Sequence, residues 1–216
     1  MHHRPGASAS LAILVLVCGS AIAQELQQVA LPAPQLTGGK PLMEALALRA
    51  TSRAFAPEPL PAQVLSNLLW AAWGINRPKE GKRTAPSARN WQEIDVLVVN
   101  AAGAYSYDAS RNLLKPLAAG DHRALTGTQG FVKDAPVTLV FVADTARMGG
   151  ASGADAQAYT WADAAFISEN VYLFCASEGL ATGVRASVDR TALAKALKLA
   201  PTQTIVMAQS VGYPKK

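Results

Sequence analysis

Apolar residues recur at helical spacing in four segments of the chain, and each segment is bounded by Pro, Gly or polar residues. The third segment is long and apolar on almost every side, so we expect its helix to be central and well buried. Gly74 and Gly179 are the expected ends of the second and third helices. The pattern predicts helices over 42–49, 61–73, 156–178 and about 193–199.

Runs of β-branched and apolar residues predict the strands. The run over 136–143 is nearly continuous, which is typical of a strand buried on both faces. A short strand or loop is expected to begin at Val184, and 75–90 and 149–153 are expected to be loops. Helices and strands mix without a strict βαβ repeat, so the fold class is α+β. The other predicted strands are 94–99, a hairpin over 105–114 and a last strand over 204–211.

The first 23 residues have the pattern of a secretory signal. A basic start is followed by an apolar run over 11–18, which is too short to span a bilayer, and by small residues at Ala21 and Ala23. We expect cleavage after Ala23 and a periplasmic or secreted protein. Lipid attachment at Cys18 is disfavoured because Val17 precedes it, and an uncleaved signal anchor is the other alternative.

The expected mature chain consists of a flexible arm over 24–40, rich in Pro, Gln and Gly, and one domain over 41–216. Removing Arg4 with the signal lowers the formal charge from +5 to +4, without a basic cluster that would indicate nucleic acid. Cys175 and His122 are then the only cysteine and histidine. This excludes an intrachain disulfide and a histidine-rich metal site, so redox chemistry requires an organic cofactor.

Two local motifs carry candidate chemistry. Arg49 and Arg53 are four residues apart at the end of a predicted helix, with hydroxyls between them, and helical spacing would direct both guanidinium groups to one side. Two cations with hydroxyl and N–H donors suit a phosphate, although a solvated helix face is the ordinary alternative. The segment 86–92 offers hydrogen-bonding groups suited to a polar heterocycle, or a simple turn and strand cap.

Taken in order, six segments of the sequence resemble the nitroreductase family of FMN-dependent oxidoreductases, and the resemblance covers essentially all of 42–214. Within that family the chain is most similar to the branch of SagB-type, thiazoline-oxidase-like members. The six segments are 49–55, 85–92, 129–136, 167–173, 178–185 and 211–214.

The resemblance implies a three-layer fold with a central, mostly antiparallel sheet flanked by helices, in an intertwined homodimer with a flavin at each interface. It assigns the FMN phosphate and ribityl chain to one segment and the flavin ring to two others. One of these ring-facing segments would come from the partner subunit. The implied residues are Arg49, Ala50, Thr51 and Arg53 for the phosphate and ribityl chain; Ser87, Ala88 and Asn90 from the partner; Val184, Arg185, Ala186 and Ser187 along the ring; and Lys215 or Lys216 completing the phosphate site.

The implied activity passes electrons from a reduced donor, NAD(P)H or another, through FMN to a small acceptor, without an assigned catalytic side chain. Azoline-oxidising members resemble one another in an adjacent Lys-Tyr pair, and this chain has none. Two alternatives are a non-catalytic flavin-binding or electron-relay module and a dimeric scaffold that has lost flavin. Glu169, Trp70 and Trp73 have no assigned role, and the sequence leaves open whether Glu169 is buried.

Overall fold

The computed structural model describes residues 1–2 and 25–216. The predicted signal and its cleavage point lie outside the described residues, so both stay predictions. Within the described part of the chain, no helix is long and apolar enough to cross a membrane.

A seven-stranded sheet forms the centre of the domain, and every neighbouring pair in it is antiparallel. Its strand order is β1-β6-β5-β4-β7-β9-β8, and β2 and β3 form a separate hairpin. The strands are β1 Val29–Ala30, β2 Ile75–Arg77, β3 Lys82–Arg83, β4 Ile94–Asn100, β5 Gly103–Asp108, β6 Leu113–Ala119, β7 Val137–Asp144, β8 Ala181–Arg185 and β9 Gln203–Gly212.

Four α-helices cover the sheet: α1 Leu42–Leu48, α2 Ala62–Trp73, α3 Gly153–Glu178 and α4 Arg190–Ala196. Strand β7 shows why both faces must be covered, because its side chains alternate between two apolar cores. Phe141 packs in the core beneath α2 and α3, whereas Val140 packs in the core beneath α4. The predicted α+β class and the burial of β7 on both faces are confirmed.

Helix α3 begins three residues earlier than predicted and ends at Gly179, whose φ of 69° is left-handed, as a glycine cap requires. Only one side of this helix is buried within the chain. Ala165, Phe166 and Glu169 are exposed on the opposite side. The expectation of an all-round buried helix is therefore wrong for a single chain, and the open question about Glu169 is answered, since it is exposed.

Two segments are more regular than the sequence indicates. The expected loop over 75–90 contains the β2–β3 hairpin, and β8 begins at Ala181 rather than Val184. The described part of the predicted arm, 25–40, also contacts the domain. Strand β1 pairs with β6, and the backbone N–H of Gln35 donates to Asn67 Oδ1 at 2.8 Å. These contacts place the arm along the sheet edge and α2.

Candidate functional site

The Tyr172 hydroxyl on α3 joins three of the segments singled out by the sequence. It lies 3.0 Å from Thr51 Oγ1 and accepts the backbone N–H of Val184 at 3.1 Å. The Arg49 guanidinium carbon lies 5.4 Å from the centroid of the Tyr172 ring, which is a cation–π distance. Arg49, Thr51 and the end of β8 therefore meet at one place, around a tyrosine that the sequence analysis did not select.

The segment that follows α1 runs beside β8. The Ser52 N–H donates to the Thr182 carbonyl at 2.8 Å. A Cβ atom at Gly183 would lie 2.8 Å from the Ser52 carbonyl oxygen and 3.4 Å from Thr51 Cγ2. Glycine at position 183 is thus what allows the hydroxyl-bearing segment to approach β8 so closely.

The argument that helical spacing directs Arg49 and Arg53 to one side is wrong. Helix α1 ends at Leu48, and Arg49 has φ −53° and ψ 119°, which is not helical. Arg53 instead lines a hollow of about 720 Å³ together with Lys215. An isolated antiparallel bridge between Phe55 and Pro214 pairs the segment after α1 with the last residues of the chain. This pairing places Arg53 beside Lys215.

Two further cations line the same hollow, Arg123 and Lys133, and the sequence analysis did not select them. Arg123 pairs with Asp121 at 2.7 Å, and this contact lowers the pKa of Asp121 and raises that of Arg123. No carboxylate lies within 4.0 Å of the charged groups of Arg53, Lys133 or Lys215 among the described residues. Asp134 is the one acidic residue in the lining, so the hollow is net positive.

The Arg185 side chain does not point toward Thr51 and Tyr172. Its Nε and Nη2 donate to the Thr126 carbonyl and hydroxyl at 2.9 and 2.8 Å, and its Nη1 donates to Ser210 Oγ at 3.0 Å. The guanidinium also lies 5.6 Å from the Phe131 ring centroid. Of the proposed flavin contacts at this position, only a backbone contact remains available, because the side chain is buried and fully engaged.

The two residues after β8 are exposed, and the second is fixed in place. The Ser187 carbonyl accepts the Thr128 N–H at 3.1 Å, and its hydroxyl accepts from Gln129 Nε2 at 2.8 Å. Ala186 and Ser187 therefore form an exposed stretch that is held in place by 128–129. This is where the resemblance expects the flavin ring.

The segment with Ser87, Ala88 and Asn90 forms a tight 3-10 turn before β4. Ser87 Oγ accepts the Gln92 N–H at 2.8 Å, and Asn90 Oδ1 accepts from Gln92 Nε2 at 3.0 Å. The Ala88 N–H donates to Asp163 Oδ2 on α3 at 2.8 Å. The hydrogen-bonding groups predicted here are present, although many of them bond within the turn.

The structure does not bring this turn together with the Thr51 cluster within one chain. The turn contacts α3 at Asp163, whereas the cluster contacts it at Tyr172, nine positions later. Nine residues correspond to about 13 Å along a helix and to two and a half turns, so the two side chains leave opposite flanks. Within one chain, the turn and the Thr51 cluster therefore lie on different sides of α3.

The remaining polar candidates lie elsewhere. Cys175 is fully buried, and burial raises the pKa of its thiol well above the usual range. His122 lies 3.0 Å from the Ala119 carbonyl through Nε2, and Trp73 is buried beneath Arg83. Across residues 25–216, no group of three potential metal-binding side chains is close enough to hold an ion.

Comparison with known proteins identifies the family. The family model described as Nitroreductase matches residues 46–213. The chain belongs to the nitroreductase family. A protein of Methanocaldococcus jannaschii with a provisional nitroreductase name is 28% identical over 151 residues, which is 65% of this chain and 76% of the relative. The resemblance stated from the sequence is confirmed at the level of the family, and the SagB-type branch stays a prediction.

Solved structures of nitroreductases share the fold. A protein of Ralstonia eutropha JMP134, also with a provisional nitroreductase name, has a TM-score of 0.85 and 40% identity over 91% of this chain and 93% of its own. The NADPH:FMN oxidoreductase of Vibrio harveyi has a TM-score of 0.62 and 17% identity over 81% of this chain and 69% of its own. The second likeness concerns the fold alone.

Proposed function

We propose that this nitroreductase-family protein is an exported FMN-dependent oxidoreductase that passes electrons from a reduced donor to a small acceptor. The observation that carries the proposal is the meeting of Arg49, Thr51 and Val184 around Tyr172, with Arg49 over the ring and the other two at the hydroxyl. The family supports the oxidoreductase class, and the Vibrio harveyi neighbour is named for NADPH and FMN.

The residues present fit the phosphate end of FMN. A phosphate dianion requires fixed cations and hydroxyl or N–H donors. Arg49, Arg53 and Lys215 form no salt bridge with any described residue, so their charges are not neutralised within the chain. Thr51 adds a hydroxyl held at 3.0 Å from Tyr172. We assign the phosphate and ribityl chain to these residues, with Ala50 contributing backbone.

In this proposal the ring lies along 184–187. When bound, the flavin supplies two-electron chemistry between a donor such as NAD(P)H and an acceptor. The chain's own residues bind and orient the ring: Tyr172 fixes the N–H of Val184, and the contacts of Ser187 with 128–129 fix the stretch that follows. The Arg185 side chain supports this stretch from behind, since it bonds to Thr126 and Ser210.

We further propose that the functional unit is a homodimer. The outer side of α3 and the neighbouring α1 leave large apolar side chains in solvent, including Phe166 at 48% exposure and Met43 at 75%. Apolar surface of this kind marks an interaction site. A second copy would cover it and would bring its Ser87, Ala88 and Asn90 to the flank of α3 that carries Tyr172. Leu42, Leu46, Leu48, Tyr159 and Trp161 are also exposed there or nearby.

Export shapes the choice of donor. The signal pattern over 1–23 supports a periplasmic or secreted location, where NAD(P)H is scarce, so the proposal includes both NAD(P)H and another reductant as donors. The missing Lys-Tyr pair argues against azoline oxidation, and the proposed acceptor is a small molecule.

The first test is the cofactor itself. The purified protein is expected to be yellow and to release FMN on denaturation, identified by mass spectrometry. NADH, NADPH and a non-nicotinamide reductant are then added under anaerobic conditions while the flavin absorbance is followed. A colourless protein that takes up no added FMN would overturn the proposal. A yellow protein that no donor bleaches would instead be a flavin-binding module without the proposed activity.

The second test addresses the anchor. The double variant Arg49→Ala, Arg53→Ala is expected to lose FMN while keeping its circular-dichroism spectrum and its unfolding temperature. Arg111→Ala is the matched control, because Arg111 is exposed in the β5–β6 turn on a different part of the domain. Equal FMN affinity in the double variant and the control would remove the proposed phosphate site.

A further inference from the structure

Two carboxyl groups are buried side by side behind the turn that contains Ser87. Glu93 immediately precedes β4 and is 0% exposed, and Asp163 lies on α3 and is 2% exposed. Their carboxyl groups accept hydrogen bonds from two consecutive residues of the turn, Ser87 and Ala88, so the two groups lie close together. Buried acids in contact require either cations or a shared proton, because two adjacent negative charges are strongly unfavourable in the interior.

The donors around this pair are too few for two charges. Asp163 Oδ2 accepts the Ala88 N–H at 2.8 Å, and Glu93 Oε2 accepts the Ser87 hydroxyl at 3.3 Å. Glu93 Oε1 is buried and has no hydrogen-bond partner among the described residues. A proton on Glu93 that is donated toward Asp163 would satisfy the pair with the donors present.

The charged groups nearby do not neutralise the pair. Arg147 donates through Nη2 to the backbone carbonyl of Glu93 at 2.6 Å rather than to its carboxyl. The same guanidinium pairs with Asp95 at 2.9 Å and lies 4.0 Å from Asp144. Arg89, in the turn itself, is exposed and stacks on Trp91. The nearest arginines are therefore engaged elsewhere.

The turn that the pair supports has an unfavourable backbone. Arg89, Asn90 and Gln92 have φ values of 50°, 56° and 49°, in the left-handed region that residues other than glycine seldom adopt. Such a conformation persists only where surrounding contacts hold it. Two of these contacts, at Ser87 and Ala88, end on the buried carboxyl pair.

We propose that Glu93 and Asp163 are positioning residues that share one proton and thereby hold the turn over 86–92 in the shape that presents it to the flavin of a second copy. The part that concerns flavin rests on the proposed function. The shared proton and the held turn are properties of the chain alone, so they are tested separately.

The direction of the pH dependence follows from the buried acid. Burial, together with the adjacent Asp163, raises the pKa of Glu93. The closed turn therefore binds a proton more tightly than the open turn, in which Glu93 is solvated. The stabilisation is fully present below the ordinary pKa of a glutamic acid and is lost as the pH rises through the raised value.

Hydrogen exchange of the Ala88 amide and its neighbours, measured without flavin from about pH 4 to 9, tests the shared proton. After correction for intrinsic rates, protection in the natural protein should fall by about tenfold per pH unit over a defined range. That range lies between the ordinary pKa of Glu93 in the open turn and its raised pKa in the closed turn. Glu93→Gln, which keeps a donor toward Asp163 and cannot ionise, should be protected and flat with pH. Asp155→Asn, an exposed change on α3, should behave like the natural protein.

Protection that is flat with pH in the natural protein, or a slope that survives in Glu93→Gln, would overturn the shared proton. The natural protein alone decides the first outcome, so the test stands even if a variant does not fold. FMN titration over the same range then tests positioning: the affinity of the natural protein relative to that of Glu93→Gln should fall as the pH rises, because ionisation of the FMN phosphate affects both proteins alike. FMN affinity that does not change when the turn opens would overturn the positioning role. The absence of FMN binding at every pH would overturn the proposed function alone.

Discussion

Thr51 Oγ1 and the Tyr172 hydroxyl lie 3.0 Å apart although 121 positions separate them in the chain. The same phenol oxygen accepts the Val184 N–H at 3.1 Å. One side chain of α3 thus fixes both the segment after α1 and the end of β8, which are the two parts of the chain to which we assign the phosphate end and the ring of FMN.

Tyr172→Phe should therefore weaken FMN binding more than it weakens the fold. It leaves the Val184 N–H without its acceptor, and an unsatisfied group of this kind costs about 1–3 kcal/mol, or about 5- to 150-fold in affinity if the loss falls on the bound state. Titration of the flavin-free protein with FMN measures this change. Tyr159→Phe, an exposed position on the same helix, is the control, and equal affinities in the two variants would contradict the role of Tyr172.

Gly183→Ala should displace the Thr51 segment. The new methyl group would lie 2.8 Å from the Ser52 carbonyl, so the backbone must move. Inserting a methyl group into such a packed site costs about 1–3 kcal/mol, and we expect weaker FMN binding together with a lower unfolding temperature. At Gly130 an added Cβ meets no atom within 4 Å, so Gly130→Ala should change neither quantity. If Gly183→Ala changed neither FMN binding nor the unfolding temperature, the close approach of the Thr51 segment to β8 would not be needed.

Arg185→Met should act on stability rather than on flavin. Burial lowers the pKa of Arg185 to about 10, so the side chain remains charged at neutral pH and keeps its bonds to Thr126 and Ser210. Removing it leaves buried acceptors unpaired, at a cost of about 2–4 kcal/mol in urea unfolding. Arg185→Lys should rescue little, because an ammonium group lacks the planar fork that reaches all three acceptors. Loss of FMN at unchanged stability would instead indicate a direct contact with the ligand.

Phe166→Glu should separate the proposed dimer. It places a charge in the centre of the exposed apolar side of α3, where a second copy would have to bury it. Light scattering coupled to size exclusion is expected to give the monomer mass, with FMN lost at the same time. Ala124→Glu adds the same charge at an exposed position on the α4 side of the sheet and should leave the dimer intact. A natural protein that is monomeric and still yellow would rule out the shared site.

Much of the fold follows from the sequence because it depends on neighbouring residues. The run over 136–143 has Thr138 as its single polar residue, and the structure buries β7 on both faces. The sequence pattern does not predict the β2–β3 hairpin, because its short strands are rich in polar residues such as Asn76 and Lys82. The pattern also predicts the end of α1 at Arg49, one residue beyond its observed end at Leu48. Arg49 is an ordinary helix former, and no adjacent residue stops the helix.

The candidate site was predictable as a set of segments and not as a geometry. Arg49 leaves the helix, and the segment after it is held by Thr182, more than 100 positions away, a contact that local spacing cannot reveal. Tyr172 lies in an apolar helix and has the pattern of a core residue, so its hydroxyl gave no signal. The Arg185 side chain alternates to the inner side of β8, which the family resemblance does not specify.

The placement of Asp163 and Tyr172 on opposite flanks of α3 has a genetic consequence. In a dimer with this geometry each site takes its two halves from different chains. A chain defective at Arg49 and a chain defective at Ser87 are each inactive alone, but a mixed pair contains one site with both defects and one site with neither. Co-expression of the two should therefore restore flavin to half of the sites in each mixed pair.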